Sequence, residues 1–205
     1  VIEILITLLA IVTLIISIII HELAHGFVSY SLGDPTPKEA GRLTLNPIKH
    51  IDPLGSIFLP LLLVISNIGI IFGWAKPVPI DPRNYKNIRT GWIITAIAGP
   101  ISNFILFVLM FLILYLFNLG EVAKLIIWYA MAINFVLGAF NLIPLPPLDG
   151  FWLIFNILPD SIRNKILIIL ESSYGIVINI VGALSAILIA KYTVLPIIMY
   201  LQGLL

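Results

Sequence analysis

Between Ile4 and Ile20 every residue is apolar except Thr7, Thr13 and Ser17, and neither glycine nor proline interrupts the chain before Gly26. At about 1.5 Å per residue, a helix over Val1 to Leu32 exceeds the roughly 30 Å hydrocarbon core of a bilayer. In hydrocarbon each backbone amide needs an internal partner, so a segment of this kind crosses as a helix. Trp92 to Phe117 and Val122 to Ile143 are two further spanning runs, and the short turn Asn118 to Glu121 between them predicts antiparallel neighbours. Pro144, Pro146 and Pro147 stop the third run, after which Leu148 to Leu158 reads as a short helix. Pro159 to Lys165 reads as a charged turn, Ile166 to Ala190 as another span despite Glu171 and Gly175, and the tail from Thr193 as broken at Pro196.

The connectors are polar. Gly33, Pro35 and Pro37 end the first helix, and Arg42-Leu-Thr-Leu-Asn46 alternates as a short strand would. Leu54 to Phe72 is apolar but broken by Gly55, Pro60 and Gly69, which predicts a segment that dips into the membrane and returns. Gly73 to Gly91, with Pro77, Pro79 and Pro82, reads as extended loop. Basic residues on both sides of the dipping segment, among them Lys38, Arg42, Arg83 and Arg89, suit the cytoplasmic face. The expected fold is an all-α polytopic membrane protein, a single domain over residues 1–205, with a bundle of about four to six transmembrane helices, a re-entrant segment and short membrane-associated extended strands. Only 10% of residues are charged, against about a quarter in soluble domains. The net charge of +1 provides no basic field for nucleic acid, and the absence of cysteine excludes disulfides, thiolate ligands and a cysteine nucleophile. The chain opens on Val1, so residues upstream are expected; the first apolar run is too long for a secretory signal and lacks its cleavage site.

Ionisable groups inside a spanning run cost at least a few kcal/mol each at the bilayer centre. The first helix holds three, His21, Glu22 and His25, in the pattern H-E-x-x-H. Residues four apart share a helix face, so the two imidazoles can converge on one metal ion, while Glu22, about 100° around, can reach a water beside it. Two imidazoles and one more protein ligand leave a fourth position open, as in catalytic zinc sites. For the third ligand the spacing leaves alternatives: Asp149 before Gly150, which is equally placed to cap the short helix there, His50 on a polar connector, and the single carboxylates Glu3 and Glu171. Asn141 and Asn103 have the chemistry to donate to a developing oxyanion or a substrate carbonyl, or to bond between helices, the role expected of Asn134.

HELAHG from His21, GRLTLNPIKHIDPLG from Gly41, FGWAKPVP from Phe72, AGPISN from Ala98 and FNLIPLPPLDG from Phe140 resemble, in order and spacing, the successive motifs of the site-2 protease family of intramembrane zinc metalloproteases. The compact branch, without PDZ or CBS domains, is the one resembled. The resemblance implies one zinc ion held by His21, His25 and Asp149, with Glu22 as general base and acid. It also implies an endopeptidase that cuts a peptide bond within or near a transmembrane segment of a membrane-protein substrate, while compactness, the absence of cysteine and the Ile-rich composition point to a prokaryotic cell membrane. The rival class is a metal transporter or a non-hydrolytic metal-binding membrane protein. Transport calls for ionisable groups at several depths, whereas here they concentrate in two motifs.

Overall fold

The computed structural model describes residues 2–58, 62, 65 and 75–202. In chain order its helices are α1 (Ile2–Ser31), α2 (Thr36–Glu39), α3 (Ile88–Leu116), α4 (Glu121–Asn141), α5 (Asp149–Ile157), α6 (Asp160–Glu171) and α7 (Gly175–Gln202). Four carry stretches long and apolar enough to cross a membrane: Leu8–Ser31 of α1, all of α3 and α4, and Gly175–Val194 of α7. The bundle is built inside out relative to a soluble protein. Ile11, Val12, Ile105, Leu109, Val181 and Leu184 face outward, whereas Ser17, His21, His25, Ser29, Thr95, Asn103 and Asn134 are buried among alanines such as Ala96, Ala130 and Ala132. Lipid supplies no hydrophobic force between helices, so small residues and internal hydrogen bonds hold them together.

The expected strands do not form among the described residues. Residues 42–46 bend into a 3₁₀ turn, Pro47–His50, because the Asn46 side chain accepts the Ile48 amide and caps it. Residues 75–81 have no regular structure, since Pro77, Pro79 and Pro82 lack the amides a ladder needs. Of Leu54 to Phe72, a π-turn over Pro53–Phe58 and the single residues Leu62 and Ile65 are described, and the expected re-entrant course lies outside the described residues. Several helix boundaries also differ. Asn87 accepts the Thr90 amide and starts α3 at Ile88, four residues before the expected Trp92. The run Ile166 to Ala190 is two helices rather than one, since Ser172 turns the chain and Gly175 lies so close to the Leu170 carbonyl that a side chain there would collide. The supposed charged turn is the first half of α6, and α7 continues through Pro196. At 12 residues, or about 18 Å, α6 is too short to span.

The direction of each span follows from its contacts. His25 bonds Thr95 and Asn103 bonds Ser17, so α3 runs antiparallel to α1. The connection from α1 to α3 therefore returns to the face from which it left. Asn134 bonds Asn103, and Asp149, just after α4, reaches His21 and His25, so α4 comes back to that same face. α7 runs against α4, with Val194 beside Ala132 and Ala186 beside Ile143 and Leu148.

One buried carboxylate pins the connection. Gly33, at φ +107°, closes α1 in a left-handed turn in which the Gly33 amide bonds Tyr30 and the Asp34 amide bonds Ser29. This turn folds the Asp34 side chain back onto the Ser29 hydroxyl, where it also accepts from the Thr36 amide and hydroxyl, Asn84 Nδ2 and the Asp81 amide. Burial pushes the Asp34 carboxyl upward, but these bonds outweigh it and bring it from 3.8 down to about 2.

Two expectations follow. A folded-state value below the unfolded one adds stability above the unfolded value that is lost as pH falls through the folded one, and here the gain is about 2 kcal/mol. In detergent, the gap in unfolding free energy between wild type and Asp34→Asn is expected to narrow between about pH 5 and about pH 2; a constant gap would mean that this carboxyl does not titrate low. For topology, single cysteines Lys38→Cys and Arg83→Cys are expected to react with an impermeant thiol reagent from one side of the membrane and Lys124→Cys from the other. Labelling of the first two from opposite sides contradicts the antiparallel pairing of α1 and α3.

Candidate metal centre

Ser17, His21, His25 and Ser29 recur every four residues on α1, and Gly91, Thr95, Gly99 and Asn103 do so on α3, so each helix presents one polar or small-residue stripe to the other. Where the stripes meet, Gly99 faces both imidazoles. A Cβ there would lie 2.6 Å from His21 Nε2 and closer still to His25 Nε2. The absence of a side chain at Gly99 is thus what gives the histidine rings their space.

Carbonyl oxygens, which can only accept, fix the tautomer of both neutral rings. His25 Nδ1 lies 2.7 Å from the Thr95 carbonyl and must carry the hydrogen. For His21 the constraint passes through two asparagines. Asn134 Nδ2 donates to the Ala130 carbonyl, so its Oδ1 accepts from Asn103 Nδ2, which also donates to the Ser17 carbonyl. Asn103 Oδ1 then accepts from His21 Nδ1 at 2.6 Å. In the neutral rings the lone pairs are therefore on the two Nε2 atoms, which face each other at 3.0 Å.

Asp149 completes the cluster. Its Oδ2 lies 3.0 Å from His21 Nε2 and 3.2 Å from His25 Nε2. It is the first residue of α5, yet its side chain makes no capping bond, so the alternative of a helix cap is not what the structure shows. α5 is held in position at both ends. Gly150 packs against the Leu142 and Ile143 carbonyls too closely for any side chain, and Arg89 donates to the Asn156 and Leu158 carbonyls at the other end, with Trp92 stacked on Trp152. Two imidazole lone pairs and a buried carboxylate oxygen that lacks a hydrogen-bond donor thus converge. Three such donors this close together are spaced to share a cation, and two nitrogens with one oxygen suit zinc. Among the described residues this is the one such cluster, and it could hold a metal ion.

The other expected residues fall elsewhere. Glu22 Oε2 accepts the Val78 amide at 2.8 Å, which brings the 75–81 segment across α1. Gly26 makes this crossing possible, because a Cβ there would lie 2.7 Å from Leu43 and 3.0 Å from Val78. Asn103 has its Nδ2 committed to Ser17 and Asn134, so it orients His21 and is not placed as an oxyanion donor. Asn141 donates to the Leu137 carbonyl of its own helix. His50 is buried but bonds the Thr44 carbonyl, and its own carbonyl accepts the Lys76 amide; it belongs to the connector. Glu171 ends α6, exposed, and does not enter the cluster. Thr95 and Val78 act through backbone atoms, which no residue type announces.

Gly99→Ala is expected to lower divalent-metal content at least tenfold and to destabilise the fold by about 1–3 kcal/mol. Gly120→Ala, with open space around it, serves as control. Metal analysis of the purified proteins checks this; wild-type occupancy in Gly99→Ala would show that the rings do not need the space.

The family profile described as peptidase family M50 matches residues 118–189. YwhC of Bacillus subtilis, provisionally named a zinc metalloprotease, is 42% identical over 182 residues, 83% of this chain and 78% of that protein. Rip2 of Mycolicibacterium smegmatis, provisionally named in the same way, is 30% identical over 147 residues, 67% of this chain and 52% of that protein. No solved structure matches the chain. With two histidines and an aspartate converging inside a bundle of apolar helices and a relative this similar along most of both chains, the protein belongs to peptidase family M50, the site-2 protease family.

Proposed function

We propose that the protein is an intramembrane zinc endopeptidase that hydrolyses a peptide bond within or next to a transmembrane segment of a membrane-protein substrate. The observation that carries this reading is the convergence of His21 Nε2, His25 Nε2 and Asp149 Oδ2 inside the bundle, with Glu22 adjacent to both histidines on the same helix. In this reading those three residues hold the ion, which when bound polarises the scissile carbonyl and acidifies water. Val78 engages one oxygen of Glu22, and the other, Oε1, takes the proton from water and returns it to the leaving amine. A substrate helix must unwind before its peptide bond can react, and its freed backbone groups then need partners in the protein. The 75–81 segment supplies acceptors better than donors: the Lys76, Val78 and Asp81 amides are bonded to His50, Glu22 and Asp34, and Pro77 and Pro79 have none.

All but Lys124 and Lys191 of the 11 Lys and Arg residues lie at or beyond the face where α1 ends and α3 begins. The charge rule makes that face cytoplasmic, with the candidate centre towards it.

Glu22→Gln is expected to lose 10² to 10⁴ in cleavage rate, the typical worth of a general base, while keeping zinc. His21→Ala, His25→Ala and Asp149→Ala are expected to lose zinc and activity together. Proteomic comparison of membranes from cells carrying wild type or Glu22→Gln, with zinc analysis of the purified variants, separates these outcomes. Identical transmembrane fragments in both membranes would remove the protease reading.

A further inference from the structure

The polar stripe of α1 does not end at the metal ligands. One turn beyond His25 lies Ser29, buried, and its hydroxyl donates to Asp34 Oδ2 at 2.8 Å. Ser29 Oγ in turn accepts the Tyr85 hydroxyl at 2.9 Å. Tyr85 has spent its one proton there, so at the 3.0 Å contact with Thr95 Oγ1 it can only accept. An ionised carboxylate at the end of the row thus sets the direction of every bond: Thr95 to Tyr85 to Ser29 to Asp34. All four side chains are buried.

The Thr95 hydroxyl is the unusual member. A helical threonine ordinarily bonds back to a carbonyl of its own preceding turn, as Thr193 does to Ile189. Thr95 instead reaches across to Tyr85, whose ring packs against Gly91, where a Cβ would overlap it. Tyr85 therefore bonds α1 through Ser29 and α3 through Thr95, and the residue it holds on α3 is the one whose carbonyl orients His25.

We propose that Tyr85 is a positioning residue of the metal centre: through the Thr95 hydroxyl it fixes the Thr95 carbonyl against His25 Nδ1, so that the His25 Nε2 lone pair points at the ion, with Asp34 as the anchor of the chain. This inference rests on the proposed role of His25 as a zinc ligand. Hydrogen-bond partners of metal-bound histidines are typically worth 10- to 100-fold in metal affinity, and Tyr85 acts one bond further out, at the lower end of that range.

The test is zinc affinity of the full chain in detergent, measured by competition with a chromophoric chelator, together with the visible absorption of the Co²⁺-loaded protein as a report on ligand geometry. Tyr85→Phe keeps the ring on Gly91 and is expected to bind zinc about tenfold more weakly, with a shifted Co²⁺ band. Thr95→Val is expected to match it, and Thr95→Ser, which restores the hydroxyl, to recover wild-type behaviour; this pair decides the matter if Tyr85→Phe does not fold. A Tyr85→Phe protein that unfolds more easily but keeps wild-type affinity and Co²⁺ spectrum overturns the inference, as do equal losses in Thr95→Val and Thr95→Ser. His25→Ala separates the two levels of the argument. If it loses zinc, the ligand reading stands whatever Tyr85 does; if it binds zinc as wild type does, the ligand reading itself fails.

Discussion

Backbone carbonyls at Ala130 and Thr95 can only accept, and that restriction fixes the chemistry of the whole interior. From Ala130 it runs through Asn134 and Asn103 to His21, and from Thr95 directly to His25. Both rings end with their hydrogens on Nδ1 and their lone pairs aimed at Asp149. In lipid the alternative to these bonds is an unsatisfied polar group, so the bonds that join α1, α3 and α4 are the same bonds that prepare the site. Fold and candidate metal site are here one structure: the helices cannot separate without releasing the histidines.

The second constraint is Glu22, one residue off the stripe and so turned away from Asn103 towards the connector. The carboxylate meets the Val78 amide, and the segment carrying Val78 is itself held at two further points. Arg42 donates to the Lys76 carbonyl and the Lys76 amide to His50, while the Asp81 amide bonds Asp34. A connector without regular structure is thereby fixed as firmly as a strand, by side chains and a turn rather than by a ladder. The alternating prolines follow from this arrangement. They remove donors from the segment, while the amides at Lys76, Val78 and Asp81 make the bonds that hold it.

Much of this was legible in the sequence. The apolar runs located the spans of α1, α3 and α4 to within a few residues, and H-E-x-x-H marked the face of α1 on which the candidate metal site lies. What the runs concealed was the break at Ser172, because apolar residues on both sides look alike whether they cross the membrane or lie along it. The strand expected at Arg42 failed because alternation over five residues is also satisfied by a bend capped by Asn46. The asparagines were legible as polar residues needing partners, but not by which atoms: only the packing of α3 between α1 and α4 shows that Asn103 spends its donors on Ser17 and Asn134. Asp34 and Tyr85 passed unremarked because each lies in a connector, where polar residues are ordinary. A signal was nevertheless present in the four-residue repeats Ser17-His21-His25-Ser29 and Gly91-Thr95-Gly99-Asn103, which mark two faces that have to meet.

The placement of Asp149 at the start of a separate short helix has a physical reason. α4 ends at Asn141, and the prolines that follow cannot continue it. Had the aspartate been the last residue of a long helix, the negative end of that helix would have opposed its charge; as the first residue of α5 it sits at the positive end, which favours the ionised form that a cation needs. Gly150 lets α5 start tight against the end of α4, and Arg89, itself on α3, holds the far end of α5 by its terminal carbonyls. The carboxylate is therefore placed by α3 and α4 together, the helices whose asparagines orient His21. Any movement that carried Asp149 away would have to break the Arg89 contacts as well, so the third donor of the cluster is bound to the same frame as the first two.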